Sequence, residues 1–242
     1  METKRLKIGI FIPCSVDQFS ARTGQNMLKL LRDLGYDCYY PNEQACCGWR
    51  LYEMGDRNGA KQLGAKLIEQ YQSCNYVVSC GSGCVAYMKH AFPSLFYNST
   101  YHNSFRSFTD KLMDISDFLC NVAHYDPSGV VFPFKVVFLD HCQTLRDYGL
   151  CSEPRQLLQS INGLELLELP ESETCCGHAG FFANNFAPIS NELARKKVEN
   201  ALSVGAQYIV STEMSCLLHL QSYIDNQKLT IKCRHLVDIL AS

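Results

Sequence analysis

Two adjacent cysteine pairs, Cys46-Cys47 and Cys175-Cys176, each followed by glycine, are the residues of this chain best suited to chemistry. A deprotonated cysteine is both a nucleophile and a metal ligand. Each pair has companions at similar spacing. Cys14, Cys80 and Cys84 flank the first, and Cys142 and Cys216 flank the second. Thiolates in such numbers select zinc or an iron–sulfur cluster over hard cations. A structural zinc site is complete with four ligands. Five thiols exceed that and point the first set towards a cluster; the four of the second suit either. Gly48 and Gly177 lack a Cβ, so the chain can turn tightly against a bound group there. His141, His178 and His219 adjoin the second set and read as polar neighbours rather than ligands. Trp49, the only tryptophan, reads equally as a shield, a pocket wall or a plain core residue. Arg50 reads as a solvated arginine, with an anionic substrate as its other use. The remaining cysteines, Cys38, Cys74, Cys120, Cys151 and Cys233, read as small buried hydrophobes.

What must position these thiols is an internal repeat. Lys7-Ile-Gly-Ile-Phe-Ile-Pro-Cys14 aligns with Lys135-Val-Val-Phe-Leu-Asp-His-Cys142, and Gln44-Ala-Cys-Cys-Gly48 with Glu173-Thr-Cys-Cys-Gly177. Asn75-Tyr-Val-Val-Ser79 before Cys84 aligns with Gln207-Tyr-Ile-Val-Ser211 before Cys216. Short β-branched and aromatic runs predict strands at 7–12, 36–40 and 76–79, and again at 135–139, 164–169 and 207–211. Apolar faces predict helices through Met27–Leu34, Leu63–Tyr71 and Leu193–Leu202, the first and last stopped by Gly35 and Gly205. A further helix is expected over Phe108–Ala123, and a closing strand Leu229–Cys233 with helix His235–Leu240. Strand alternating with helix predicts an α/β fold with parallel strands. The expectation is two pseudo-symmetric halves, 1–128 and 129–242, each a small, mostly parallel sheet flanked by helices. In such a sheet ligands gather beyond the carboxyl ends of the strands. The metal sites are expected there: Cys14, Cys46, Cys47, Cys80 and Cys84 in one half, and Cys142, Cys175, Cys176 and Cys216 in the other.

Composition narrows the field. Fourteen cysteines in 242 residues would suggest a disulfide scaffold in a short secreted chain. This chain is long and shows clear periodicity. Its first apolar run, Ile8–Pro13, is too short for a secretory leader. Reduced thiols and a cytoplasmic location are expected. A net charge of −2 argues against a general affinity for nucleic acid. No run approaches the ~18 apolar residues of a membrane span. No Gly-x-Gly-x-x-Gly turn follows a strand, so neither NAD nor flavin is expected on this chain.

The doubled pattern Cys14…Cys46-Cys47-Gly48…Cys84 and Cys142…Cys175-Cys176-Gly177…Cys216 resembles the cysteine-rich CCG domain pair found in heterodisulfide reductase and in several iron–sulfur oxidoreductases. It is most similar to the lactate-utilization protein A family, through Pro41-Asn-Glu-Gln-Ala-Cys-Cys-Gly48, Val77-Val-Ser-Cys-Gly-Ser-Gly-Cys84, Glu153-Pro-Arg-Gln-Leu-Leu158, Gly163-Leu-Glu-Leu-Leu167 and Ser215-Cys-Leu-Leu218. The resemblance covers nearly the whole chain. It implies an oxidoreductase subunit of a system that oxidises L-lactate to pyruvate with two partner subunits, one a ferredoxin-like iron–sulfur protein. It also implies a [4Fe–4S] cluster, of the noncubane kind that the reductase carries, on Cys14, Cys46, Cys47, Cys80 and Cys84. For the second half it implies a second cluster or zinc. Two departures bear on substrate: His178-Ala179-Gly180 replaces the family's Phe-Gly-Gly, and Cys80-Gly81 stands where proline is common. A thiol–disulfide reductase subunit and a zinc-stabilised assembly subunit are the competing readings.

Overall fold

The computed structural model describes residues 6–178 and 180–242; Ala179, part of the second motif's departure, lies outside them. The first half runs β1 Lys7–Phe11, α1 Cys14–Phe19, α2 Ala21–Asp33, β2 Asp37–Tyr39, α3 Trp49–Glu53, α4 Arg57–Gln70, β3 Tyr76–Ser79, α5 Ser82–Phe96, α6 His102–Lys111, β4 Leu112–Asp114 and α7 Ile115–Asn121. The second runs β5 Lys135–Phe138, a π-helical turn Thr144–Tyr148, α8 Ser152–Gln159, β6 Glu165–Leu167, α9 Phe182–Asn185, α10 Ala187–Ser203, β7 Tyr208–Ser211, α11 Met214–Asn226, β8 Lys232–His235 and α12 Leu236–Leu240. Each half forms one four-stranded parallel sheet, ordered β2-β1-β3-β4 and β6-β5-β7-β8. The expected α/β class and paired halves are therefore present.

In both sheets the strand order reverses between the first and third strands of the half. That is where an open parallel sheet leaves a crevice. Cys14 follows β1 and Cys84 opens α5 just past β3; Cys142 and Cys216 repeat this around β5 and β7. The repeat is not perfect in secondary structure. Where the first half has α1, the second winds Thr144–Tyr148 as a π-helix that ends at Gly149, φ +77°.

Two elements differ from the sequence reading. The expected helix Phe108–Ala123 is split by β4. Leu112–Asp114 pair with Val77–Ser79 of β3, and Leu112 and Asp114 are buried. The closing strand sits three residues later than expected, at Lys232–His235, because its register is set by pairing with Tyr208–Ser211.

The halves share a core. Successive residues of a strand face opposite ways, and Val77 and Val78 enter different apolar clusters. The buried members of the Val77 cluster, with Phe11, Leu67, Phe92 and Phe108, all belong to the first half, and Tyr148 of the second packs against them. The Val78 cluster runs on through Ile8, Ile10 and Cys80 to Val136, Val137, Val210 and Leu217. Polar contacts also cross the seam. The Thr23 hydroxyl and the Asn26 amide each donate to Asp238 at 2.8 Å. His235 Nδ1 accepts from the Val237 amide, so its Nε2 carries the proton donated to the Cys80 carbonyl at 3.0 Å.

Candidate metal centres

Each double cysteine sits in a turn made possible by its glycine. Gly48 and Gly177 have φ of +85° and +93°, which disfavours any residue with a Cβ. A Cβ there would lie 3.1 Å from the Ala60 carbonyl oxygen of α4 or 2.6 Å from that of Ser190 in α10. These glycines therefore press the motif turn against a helix backbone. Behind the second turn, the Ser190 hydroxyl donates to the Gly177 carbonyl at 2.8 Å and lies 3.1 Å from His219 Nε2.

Four thiols converge in each half. In the first, the Cys47 and Cys84 sulfurs are 3.4 Å apart, and Cys14 and Cys46 line the same cavity as both. In the second, Cys176 and Cys216 are 3.1 Å apart and Cys142 and Cys175 are 4.0 Å apart. Cys47, Cys84, Cys176 and Cys216 are buried, whereas Cys14 and Cys46 are exposed and Cys142 and Cys175 partly so. The neighbouring Cys14 and Cys47 thiols hold Cys46 below the usual thiol range. Donation from Cys142 and Cys176 does the same to Cys175, aided by the Gly177 amide 3.3 Å from its sulfur. The donors are pushed the other way. In each set one cysteine therefore deprotonates more readily than its neighbours, and thiols bind a metal as thiolates.

Cys80 does not join them. Its side chain is fully buried in the apolar cluster shared by the halves, and burial followed by the nearby Asp114 carboxyl raises its thiol. Of the five thiols expected in the first half, the structure brings four together around one cavity, as many as converge in the second half. Of the five cysteines read as buried hydrophobes, Cys74 is buried and Cys38, Cys120 and Cys233 are partly buried. Cys151 is exposed, because it precedes α8 at the surface.

The donor set fits a thiolate-bound metal. Among the described residues no three histidine, cysteine or acidic side chains are already drawn into metal-holding geometry. Yet all four first-half thiols line one cavity of about 380 Å3. The Tyr87 hydroxyl, one turn past Cys84, is buried without a hydrogen-bond partner among the described residues, which is costly for a hydroxyl.

The surroundings join the halves. Trp49 stacks on Tyr87 with centroids 6.2 Å apart and meets His141 of the second half edge-on at 5.9 Å. His141 is buried, bonded through Nδ1 to the Thr144 hydroxyl at 2.8 Å, and held below its usual proton affinity by burial. Burial, then the neighbouring His219, does the same to His178.

The residue the sequence reading missed is Glu213. It is buried, and its Oε2 accepts from the Gly83 amide of the other half at 2.7 Å. Its Oε1 accepts from the Ser215 amide at 3.2 Å and the Ser215 hydroxyl at 2.7 Å. Gly83 and Ser215 are the second residues of α5 and α11 and directly precede Cys84 and Cys216. One carboxylate therefore caps both helices that present these thiols. Its repeat partner is Gly81, which caps nothing with a side chain. That mismatch within an otherwise close repeat was the available signal.

The cysteine-rich CCG domain model matches residues 8–89 and 136–221, one copy per half. Lactate utilization protein A of Bacillus subtilis (strain 168) is 30% identical over 238 residues, which is 98% of this chain and 100% of that protein. Lactate utilization protein A 1 of Bacillus cereus (strain AH820) is 29% identical over 98% of this chain and 99% of its own. Among solved structures, a putative Asp/Glu racemase from Yersinia pestis is 12% identical with a TM-score of 0.44, covering 98% of this chain and 96% of that one; a likeness that distant bears on no chemistry here. The repeated motif, the two convergent thiol sets and the full-length match place this chain in the lactate utilization protein A family of paired cysteine-rich CCG domains.

Proposed function

We propose that this chain is the iron–sulfur subunit of a system that oxidises L-lactate to pyruvate. The observation that carries the reading is the pair of four-thiol sets, each with two buried and two accessible sulfurs. The names of the relatives point to lactate. Cys14, Cys46, Cys47 and Cys84 would hold a [4Fe–4S] centre. Cys142, Cys175, Cys176 and Cys216 would hold a second centre, iron–sulfur or zinc, since four thiols satisfy either. A bound cluster supplies one-electron storage. The chain's own residues do the rest. The motif glycines fix the turns, Trp49, stacked on Tyr87, lines the cleft beside the first set, and Glu213 holds the two thiol-bearing helices in register. Two electrons leave lactate, so the reading includes partner subunits that accept them, one of them ferredoxin-like.

The test is anaerobic purification followed by iron, zinc and acid-labile sulfide analysis and electron paramagnetic resonance, with Cys47→Ser and Cys176→Ser in parallel. Brown protein with about four irons per filled cluster site is expected. Each substitution should remove the metal of its own half. Colourless protein holding zinc alone would overturn the electron-transfer reading and favour the assembly role.

A further inference from the structure

Between the halves lies a cleft of about 400 Å3. Cavities of a few hundred Å3 hold small organic molecules. Cys14, Cys46, Cys47 and Cys84 all line it, whereas no second-half thiol is among its described lining. The second half contributes His178, Glu213 and Ser215 instead, opposite Trp49 and Arg50 of α3. The two thiol sets are thus alike in composition but unlike in access.

We infer that this cleft is a binding site for a small 2-hydroxy monocarboxylate, with Arg50 holding the carboxylate and the hydroxyl-bearing carbon turned towards the first-half thiols. The choice of ligand rests on the lactate reading above; the choice of place does not.

Charge inside the cleft supports Arg50 as the anchor. Glu213 is buried and already spends both oxygens on the Gly83 amide and on Ser215. Arg50 makes no ion pair within 4 Å among the described residues. Its guanidinium lies 5.7 Å from the centre of the Phe181 ring. A guanidinium over a ring keeps its edge donors free, and that edge matches a carboxylate in a bidentate fork. Glu53, three residues on along α3, is the one nearby competitor. Burial raises its proton affinity, and the Arg50 charge acts the other way. The His178 ring on the facing wall offers a nitrogen to the substrate hydroxyl. The second set, away from the cleft, is left to pass electrons rather than to meet substrate.

Trp49 is the sole tryptophan and lines the cleft, so tryptophan fluorescence reports on this site alone. The anaerobically purified full-length chain is titrated with L-lactate, with pyruvate and propionate as companions. Wild type should give a saturable change. Arg50→Met should weaken it about 10- to 100-fold, the worth of one charge-assisted fork. Arg50→Lys should fall between, and Glu53→Gln should tighten binding. Circular dichroism and metal content should stay unchanged in all three. Unaltered affinity in Arg50→Met, or no saturable change with any of the three acids, overturns the site. If pyruvate and propionate bind through Arg50 and L-lactate does not, the carboxylate anchor stands, and the 2-hydroxy ligand and the lactate reading fall. If lactate reduces the assembled system but binds without affecting Trp49, the site falls and the lactate reading stands.

Discussion

Glu213→Asp separates the two jobs of one carboxylate. Aspartate is a favoured helix cap, so it keeps the bond to the Ser215 amide at the start of α11. One methylene shorter, it cannot also reach Gly83. The loss is a hydrogen bond to a charged, buried acceptor, about 1.5–3 kcal/mol. The amide left behind sits at the positive end of α5, a 15-residue helix with no side-chain cap of its own. For a chain of this length the expected drop in melting temperature is roughly 3–12 °C, at 2–4 °C per kcal/mol. Glu213→Ala loses both bonds and should fall further, by about another 1 kcal/mol for the second cap. The assays are urea unfolding of the reduced chain and peptide-resolved hydrogen exchange. In Glu213→Asp, peptides covering Ser82–Tyr87 should lose protection while those covering Met214–Leu220 keep it. If Glu213→Asp unfolds within about 0.5 kcal/mol of wild type, the size of a neutral surface change, and leaves Ser82–Tyr87 protected, the cross-half cap carries no weight and the argument fails.

Two further outcomes follow from buried groups. Cys80→Ala should keep the full metal content of the first set, because the Cys80 sulfur lies in the shared apolar cluster; loss of metal on analysis would return Cys80 to the ligands. Asp114 is fully buried, and desolvation raises its carboxyl from 3.8 to about 7. Between those values the folded chain holds a proton that the unfolded chain releases, so stability falls as pH rises through that window. The full effect is at most about 4 kcal/mol at 1.36 kcal/mol per pH unit. His141 and His235, buried and held neutral, act with the opposite sign as pH falls below about 6.5. The Asp114 part is therefore read as the difference between wild type and Asp114→Asn in urea midpoints from pH 4.5 to 7.5. That difference should change with pH; a constant difference would show that Asp114 does not titrate there.

The repeat made the architecture legible. It predicted two parallel sheets, and Cys14, Cys84, Cys142 and Cys216 do follow the first and third strands of each. What escaped was set by partners distant in the chain. Leu112-Met113-Asp114 continues a helical apolar spacing, and only pairing with β3 turns it into a strand. Cys80 looked like a ligand through its proximity to Cys84, yet its repeat partner is Thr212, and both positions are buried at the seam. The shared core and the Glu213 cap join residues more than a hundred positions apart, which no local pattern reveals.

The cap also says something about ancestry. If the halves arose by duplication of one unit, that unit paired with itself, and each position equivalent to 213 met its own copy. One residue type at both places would put two carboxylates at the seam or none. The present chain resolves this with Glu213 on one side and Gly81 on the other. The arrangement is one-way, because a Cβ at Gly81 would overlap the Pro13 ring. The first half has become the receiver of a cap and the second its donor. Chimeras that exchange second halves between relatives should therefore assemble when the first half carries glycine at 81 and the incoming second half glutamate at 213, and two copies of either half should not substitute for the pair.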